Sequence, residues 1–143
     1  MIERLHETHL ESVAELERLC FSSPWSKDAL HLLLRDGNCG TVALKGNTVV
    51  SYAGLVRALD EGEITNVATH PEHRGRGYAK QALLELIGMA RAEGIVRITL
   101  EVRESNTPAR ALYTALGFRD CGIRKGFYSF PKENGVVMEL SLI

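Results

Sequence analysis

The chain has 143 residues, a formal net charge of −1 and 24% charged side chains with no long block of one sign, a balance that speaks against a nucleic-acid or membrane surface. Cys20, Cys39 and Cys121 are odd in number and widely spaced, which argues against a disulfide framework and a zinc site and points to a reducing, cytoplasmic setting. The first residues are too polar for a secretory segment, no run nears the ~20 apolar residues of a bilayer span, and the length suits one domain, 1–143, that folds without staples.

Thr8 to Glu11 has the form of a capping box and opens a helix whose apolar residues are Leu10, Val13, Leu16 and Leu19. After Phe21-Ser22-Ser23-Pro24-Trp25, Ser26 is placed to cap a second helix carrying Leu30, Leu33 and Leu34, with Asp28 in its first turn and an end near Asp36-Gly37-Asn38. Residues 41–44 and 48–56 have the composition of two strands closed by Lys45-Gly46-Asn47. A second turn at 58–62 returns the chain into a strand over 63–69, so three antiparallel neighbours are expected. That strand ends at His70-Pro71, since proline cannot donate to a ladder. Ala79, Leu83, Leu86, Ile87 and Ala90 share one helical face, and Gly94 stops that helix. A strand over 95–102 follows. Asn106-Thr107-Pro108 then supplies a cap and a first-turn proline for a helix ending before Gly117. Two late strands, around 118–127 and 136–142, complete an α+β fold with a mixed sheet.

His73-Arg74-Gly75-Arg76-Gly77-Tyr78-Ala79 joins a predicted strand to a predicted helix. A glycine-rich turn at a helix N-terminus leaves backbone N–H groups aimed at one point, and the helix dipole adds partial positive charge there. Gly75 and Gly77 let the backbone approach an anion, while Arg74 and Arg76 offer charge-assisted hydrogen bonds. The site suits a pyrophosphate. Neither the Gly-x-x-x-x-Gly-Lys-Ser/Thr nor the Gly-x-Gly-x-x-Gly spacing is present.

The remaining pattern, Arg74-x-x-Gly77-x-Ala79, resembles the Gln/Arg-x-x-Gly-x-Gly/Ala signature of the GCN5-related N-acetyltransferase (GNAT) family, whose loop cradles the pyrophosphate of acetyl-coenzyme A. The resemblance implies a central mixed, mostly antiparallel sheet of six to seven strands flanked by about four helices. It also implies that Val67, Ala68 and Thr69 line the pantetheine arm of the coenzyme. Arg74, Gly75, Arg76, Gly77, Tyr78, Ala79 and Lys80 would then hold the pyrophosphate, and a backbone N–H near Val67 or Ala68 would face the thioester oxygen.

Leu100-Glu101-Val102-Arg103-Glu104-Ser105-Asn106, with Ala111-Leu112-Tyr113 and Gly117-Phe118 after it, is similar to the ribosomal-protein-alanine N-acetyltransferases of the RimI type. This implies Glu101 as general base, Tyr113 as general acid and Asn106 as a coenzyme contact. The implied reaction is direct transfer from acetyl-coenzyme A to the N-terminal amine of a protein, an alanine of a small-subunit ribosomal protein. Lysine side chains or small amines are alternative acceptors, and a non-catalytic coenzyme A binding module is a rival. Glu101 also reads as a strand residue paired with Arg97, Arg103 or Arg124, and Tyr113 as a core aromatic. Phe21 to Ser26 resembles the Phe-Pro-Trp-Ser segment of the same enzymes, so Trp25 borders the acceptor cleft or plugs the core. Tyr128 matches a late-strand tyrosine near the acceptor amine or lies on the surface. His70 and His73 lie close together, but no further ligand at a recognised spacing completes a metal set. The expected partners are acetyl-coenzyme A and a ribosomal protein's N-terminal segment, with no nucleic acid, membrane or metal, for a monomer or weak dimer.

Overall fold

The computed structural model describes residues 1–143. Seven strands, β1 (Ile2–Arg4), β2 (Cys39–Lys45), β3 (Thr48–Ala58), β4 (Glu61–Thr69), β5 (Arg97–Arg103), β6 (Arg119–Tyr128) and β7 (Glu133–Ser141), form one sheet in the order β1-β2-β3-β4-β5-β7-β6. Four α-helices accompany it: α1 (Leu10–Cys20), α2 (Lys27–Leu30), α3 (Tyr78–Ala92) and α4 (Thr107–Ala115). Every neighbouring pair is antiparallel except β4 and β5. Parallel strands need a crossover, and α3 provides it.

The sheet is covered on both faces. Leu83, Leu86, Ile87 and Ala90 of α3 pack with Ala53, Leu55, Ile98, Leu100 and Val102 and, beyond them, Tyr113 and Phe118. On the other face Leu10, Val13 and Leu16 of α1 join Leu30, Leu33, Val42 and Tyr52. Burial of these side chains stabilises each layer by roughly 1.5–3 kcal/mol per large residue.

Several predicted boundaries move. The segment before α1 is a 3-10 turn, Glu7–His9, in which the His9 imidazole accepts from the His6 N–H (2.9 Å), so Thr8 is not the cap. Glu11 does not reach back; its carboxylate pairs instead with Lys27 at 3.1 Å. Leu19 is 57% exposed. Nine residues from Leu10 at about 100° each place it on the opposite side of the helix, whereas Glu17 returns to the phase of Leu10. Ser26 caps α2 as expected, accepting from the Ala29 N–H at 3.1 Å, but the helix tightens into a 3-10 turn at His31–Leu34. The β3–β4 turn shrinks to Leu59 and Asp60, and the short β1 was not anticipated.

One irregularity creates the cleft. Gly54 pairs with Asn66 and the next residue, Leu55, with Ile64, so Thr65 is an extra residue on β4. A bulge of this kind shifts strand parity and bends the strand. Ile64 and Val67, three residues apart, both pack toward α3, whereas Ala68 packs toward α1. The parallel ladder between β4 and β5 ends at Glu63 and Thr99. Beyond it the two strands diverge.

Candidate active site

The gap between the diverging strands is a cleft of about 800 Å³ that reaches from the end of α1 to the β6–β7 loop. Because the sheet is split there, side chains from both faces meet in it. Leu100 and Val102 of β5 belong to the α3 layer, so Glu101 between them points to the other face. Tyr113 enters from α4 in the α3 layer. Both line the cleft with Tyr128, Trp25, Asn106 and Val67.

The Glu101 side chain is 15% exposed, and its Oε1 lies 3.1 Å from Arg124 Nε. Its Oε2 is buried with no hydrogen-bond partner. A buried carboxylate oxygen without a donor is costly unless something outside the protein fills the position. Gly135 makes room for it, since a Cβ there would stand 3.3 Å from that oxygen. Of the three arginines expected as partners if Glu101 were an ordinary strand residue, Arg124 makes the pair, and it leaves the second carboxylate oxygen without a donor.

Tyr113 is buried, and burial, with a smaller contribution from Tyr128, pushes its phenol up to about 12. It stays protonated throughout the neutral range. Burial first and Glu101 second raise Tyr128 above the ordinary tyrosine value.

Past the C-terminal end of β4, where the strands have parted, the turn before α3 runs through Gly75 and Gly77 at φ +75° and +82°. These left-handed conformations suit glycine. Gly77 is the N-cap of α3 and has no side chain to occupy the first helical N–H groups, those of Tyr78, Ala79 and Lys80. A side chain at either glycine would meet no other atom within 4 Å, and residues 74–77 are exposed. The geometry fits an anion carrying several oxygens.

Residues 10–118 match the sequence model of the acetyltransferase (GNAT) family. The chain belongs to that family. The acetyltransferase is 36% identical to the [ribosomal protein bS18]-alanine N-acetyltransferase of Haemophilus ducreyi, across 99% of its own length and 100% of the relative's. It superimposes on the crystal structure of the ribosomal-protein-S18-alanine N-acetyltransferase from Escherichia coli with a TM-score of 0.91 at 27% identity, covering 99% and 93% of the two chains. In fold it also matches yncA, a putative acetyltransferase from Salmonella typhimurium solved with its cofactor acetyl-CoA, with a TM-score of 0.86 at 20% identity and coverage of 100% and 94%.

The acetyltransferase brings most of the sequence-predicted residues to the cleft or the adjoining turn. Ala68 buries its side chain toward α1, and its carbonyl accepts from the Ser51 hydroxyl at 2.9 Å. Arg74 folds back: its Nε donates to the Thr69 carbonyl (3.2 Å) and Nη2 lies 3.6 Å from Cys20 Sγ, whereas Arg76 is exposed. Asn106 caps α4 through Oδ1, which accepts from the Ala109 N–H at 3.2 Å, leaving its amide NH₂ for a ligand. His70 and His73 stack edge to face at 5.3 Å, and no group of three or more His, Cys, Asp or Glu side chains is gathered anywhere in the chain.

Three cleft features escaped the sequence reading. Glu17 is 1% exposed; its Oε1 accepts from the Trp25 N–H at 2.9 Å, and Oε2 accepts from the Tyr52 hydroxyl and, at 3.5 Å, from Asn66 Nδ2. Arg103 and Glu133 join the cleft's rim to the β5–α4 turn. Gly135 shapes the space beside Glu101. For Glu17 a signal existed: a carboxylate in phase with Leu10 and Val13 on an apolar helix face.

Proposed function

We propose that the chain is an acetyl-coenzyme A-dependent N-acetyltransferase acting on the N-terminal amine of a protein, with the alanine at the start of ribosomal protein bS18 as acceptor. The observation that carries this reading is the split-sheet cleft lined by both Glu101, one of whose carboxylate oxygens has no hydrogen-bond partner, and the buried phenol of Tyr113. Full-length similarity to alanine N-acetyltransferases supports the acceptor. The unit is a single domain spanning 1–143, acting in the cytoplasm as a monomer or weak dimer; no helix is long and apolar enough to cross a membrane.

In this reading the amides of residues 75–80 hold the pyrophosphate, the stretch of β4 at Val67, Ala68 and Thr69 that β5 has left accompanies the pantetheine arm, and Asn106 adds a side-chain donor. A backbone N–H near Val67 or Ala68 faces the carbonyl oxygen as it gains charge. Trp25 and Tyr128 flank the acceptor. The ammonium passes a proton to Glu101, directly or through one water, and the freed lone pair attacks the thioester carbon. The C–N bond forms, the C–S bond breaks, and the sulfur leaves toward Tyr113. A phenol near 12 gives its proton to a thiolate whose own value is near ~8.5 only uphill, by roughly 5 kcal/mol. Tyr113 therefore acts first as a hydrogen-bond donor to the developing sulfur anion, and its proton moves as the nitrogen sheds its own. Holding both reactants in one cleft removes the entropy cost of their meeting.

Incubation with acetyl-coenzyme A and an alanine-starting bS18 peptide, beside a lysine peptide with a blocked N-terminus and a polyamine, tests the assignment. Turnover of the first alone is expected. Turnover confined to the lysine peptide or the polyamine would move the chain to another acceptor class, and coenzyme binding without any turnover would favour the sensor alternative.

A further inference from the structure

We infer that Arg103 and Glu133 are positioning residues that clamp the β6–β7 loop over the acceptor cleft and tie its closure to occupation of the coenzyme side; this rests on the acceptor reading above. The loop, residues 129–132, has no regular structure, and Phe130 at its tip is 94% exposed. Little apolar burial holds it. Its ends are fixed by the ladder pair Tyr128 and Glu133, and its carbonyls by one guanidinium: Arg103 Nη1 donates to the Pro131 carbonyl (2.9 Å) and to Glu133 Oε1 (3.2 Å), and Nη2 donates to the Ser129 carbonyl (3.0 Å). The same group lies 4.5 Å from the centre of the Tyr128 ring. A planar fork that satisfies two carbonyls, a carboxylate and an aromatic face at once has no equivalent in lysine.

Glu133 carries the linkage to the coenzyme side. Its second oxygen accepts from the Ser105 N–H at 2.6 Å, one residue before Asn106. Beside it the Glu104 N–H donates to the Asn134 carbonyl at 3.1 Å. The turn that presents Asn106 is thereby bonded to the strand end that leaves the acceptor loop. A ligand that draws Asn106 inward orders Ser105, and through Glu133 and Arg103 it orders Ser129 and Pro131. Conversely, an acceptor that fixes the loop favours the turn geometry that receives the coenzyme, as reciprocity of coupled binding requires.

Steady-state kinetics on the bS18 peptide, acetyl-coenzyme A affinity and hydrogen exchange of residues 127–134 are to be compared in wild type, Arg103→Ala, Arg103→Lys, Glu133→Gln and the Arg103→Ala/Glu133→Gln double variant. Arg103→Ala is expected to raise the acceptor KM on the order of tenfold, the size of one or two lost charge-assisted hydrogen bonds, with kcat changed much less. Arg103→Lys should stay nearer the alanine variant than wild type, and the double variant should be no worse than Arg103→Ala. Acetyl-coenzyme A should slow exchange of the loop in wild type and not in Glu133→Gln. An unchanged KM in Arg103→Ala, full rescue by lysine, or a wild-type loop indifferent to acetyl-coenzyme A overturns the clamp. If the wild type acetylates no peptide, the acceptor reading fails by itself, and loop exchange still decides the clamp.

Discussion

The two walls of the cleft are built on opposite principles. On the α1 side the wall hangs from Glu17, a carboxylate inside the core whose acceptors are filled by Trp25, Tyr52 and Asn66. On the β6–β7 side nearly every residue of β6 is exposed, the strand is held by its ladder to β7, and a guanidinium at the rim pins the loop at its tip. The first wall exists once the core exists, because emptying the Glu17 site strands buried donors. The tip of the second is fixed by interactions between groups that water also satisfies, so it is held less firmly than the first. The family match ends at Phe118, before this second wall begins. A rigid wall beside an adjustable one suits an enzyme that receives a flexible polypeptide end.

The largest expected effect lies between the walls and calibrates them. Glu101→Gln keeps the shape and removes the acceptor of protons, so turnover should fall by about 10²- to 10⁴-fold, as is typical for general bases. Acetyl-coenzyme A affinity, measured by calorimetry, should remain within about twofold of wild type if the role is confined to proton transfer. A comparable loss of coenzyme binding would assign Glu101 a structural role beside Arg124.

Next in size, Glu17→Ala should lower stability by about 3 kcal/mol, since the Tyr52 hydroxyl, the Asn66 amide and the Trp25 N–H all lose their acceptor. For a chain of this length that is a melting temperature lower by roughly 6–12 °C. Arg103→Ala should move the same transition by no more than about 4 °C, because an ion pair at the partly exposed rim contributes up to about 1 kcal/mol. Equal melting shifts in the two variants would erase the distinction between the walls.

The smallest effect is acid release of the outer wall. Hydrogen bonds from Ser105, and then the Arg103 guanidinium, hold the Glu133 carboxyl below the ordinary glutamate range. A lowered folded value means the contribution is fully present above the unfolded value near ~4.3 and disappears as pH falls through the folded one. The Ser105 amide proton, followed by NMR, should therefore titrate with a midpoint below ~4.3. A midpoint at or above that figure would mean the clamp does not favour the ionised form.

Much of this molecule was readable before folding, for identifiable reasons. The apolar runs of β2 and β3 and the single apolar face of α3 survive because the strands are buried on both faces and the helix sits against its own layer of core. The glycines at 75 and 77 announced themselves because a left-handed turn at a helix start has few other residues available to it. Glu101 and Tyr113 were legible from the motif around them, and periodicity would have left one an ordinary strand carboxylate and the other a core ring. Glu17 was hidden by a misplaced helix phase that chose Leu19. Arg103 and Glu133 lie 30 residues apart and meet only when β5 pairs with β7. Local pattern carries no trace of such a meeting.

The surplus residue Thr65 has a consequence for how such a catalyst arises. Without it, side-chain alternation would run unbroken from Ile64 to Thr69, and the parallel zipper that stops at Glu63 and Thr99 could continue to the tips of both strands. A sheet completed in that way would have more hydrogen bonds and no chamber. Catalytic capacity here originates in a counting error of one amino acid, retained where perfect order would have sealed the protein shut.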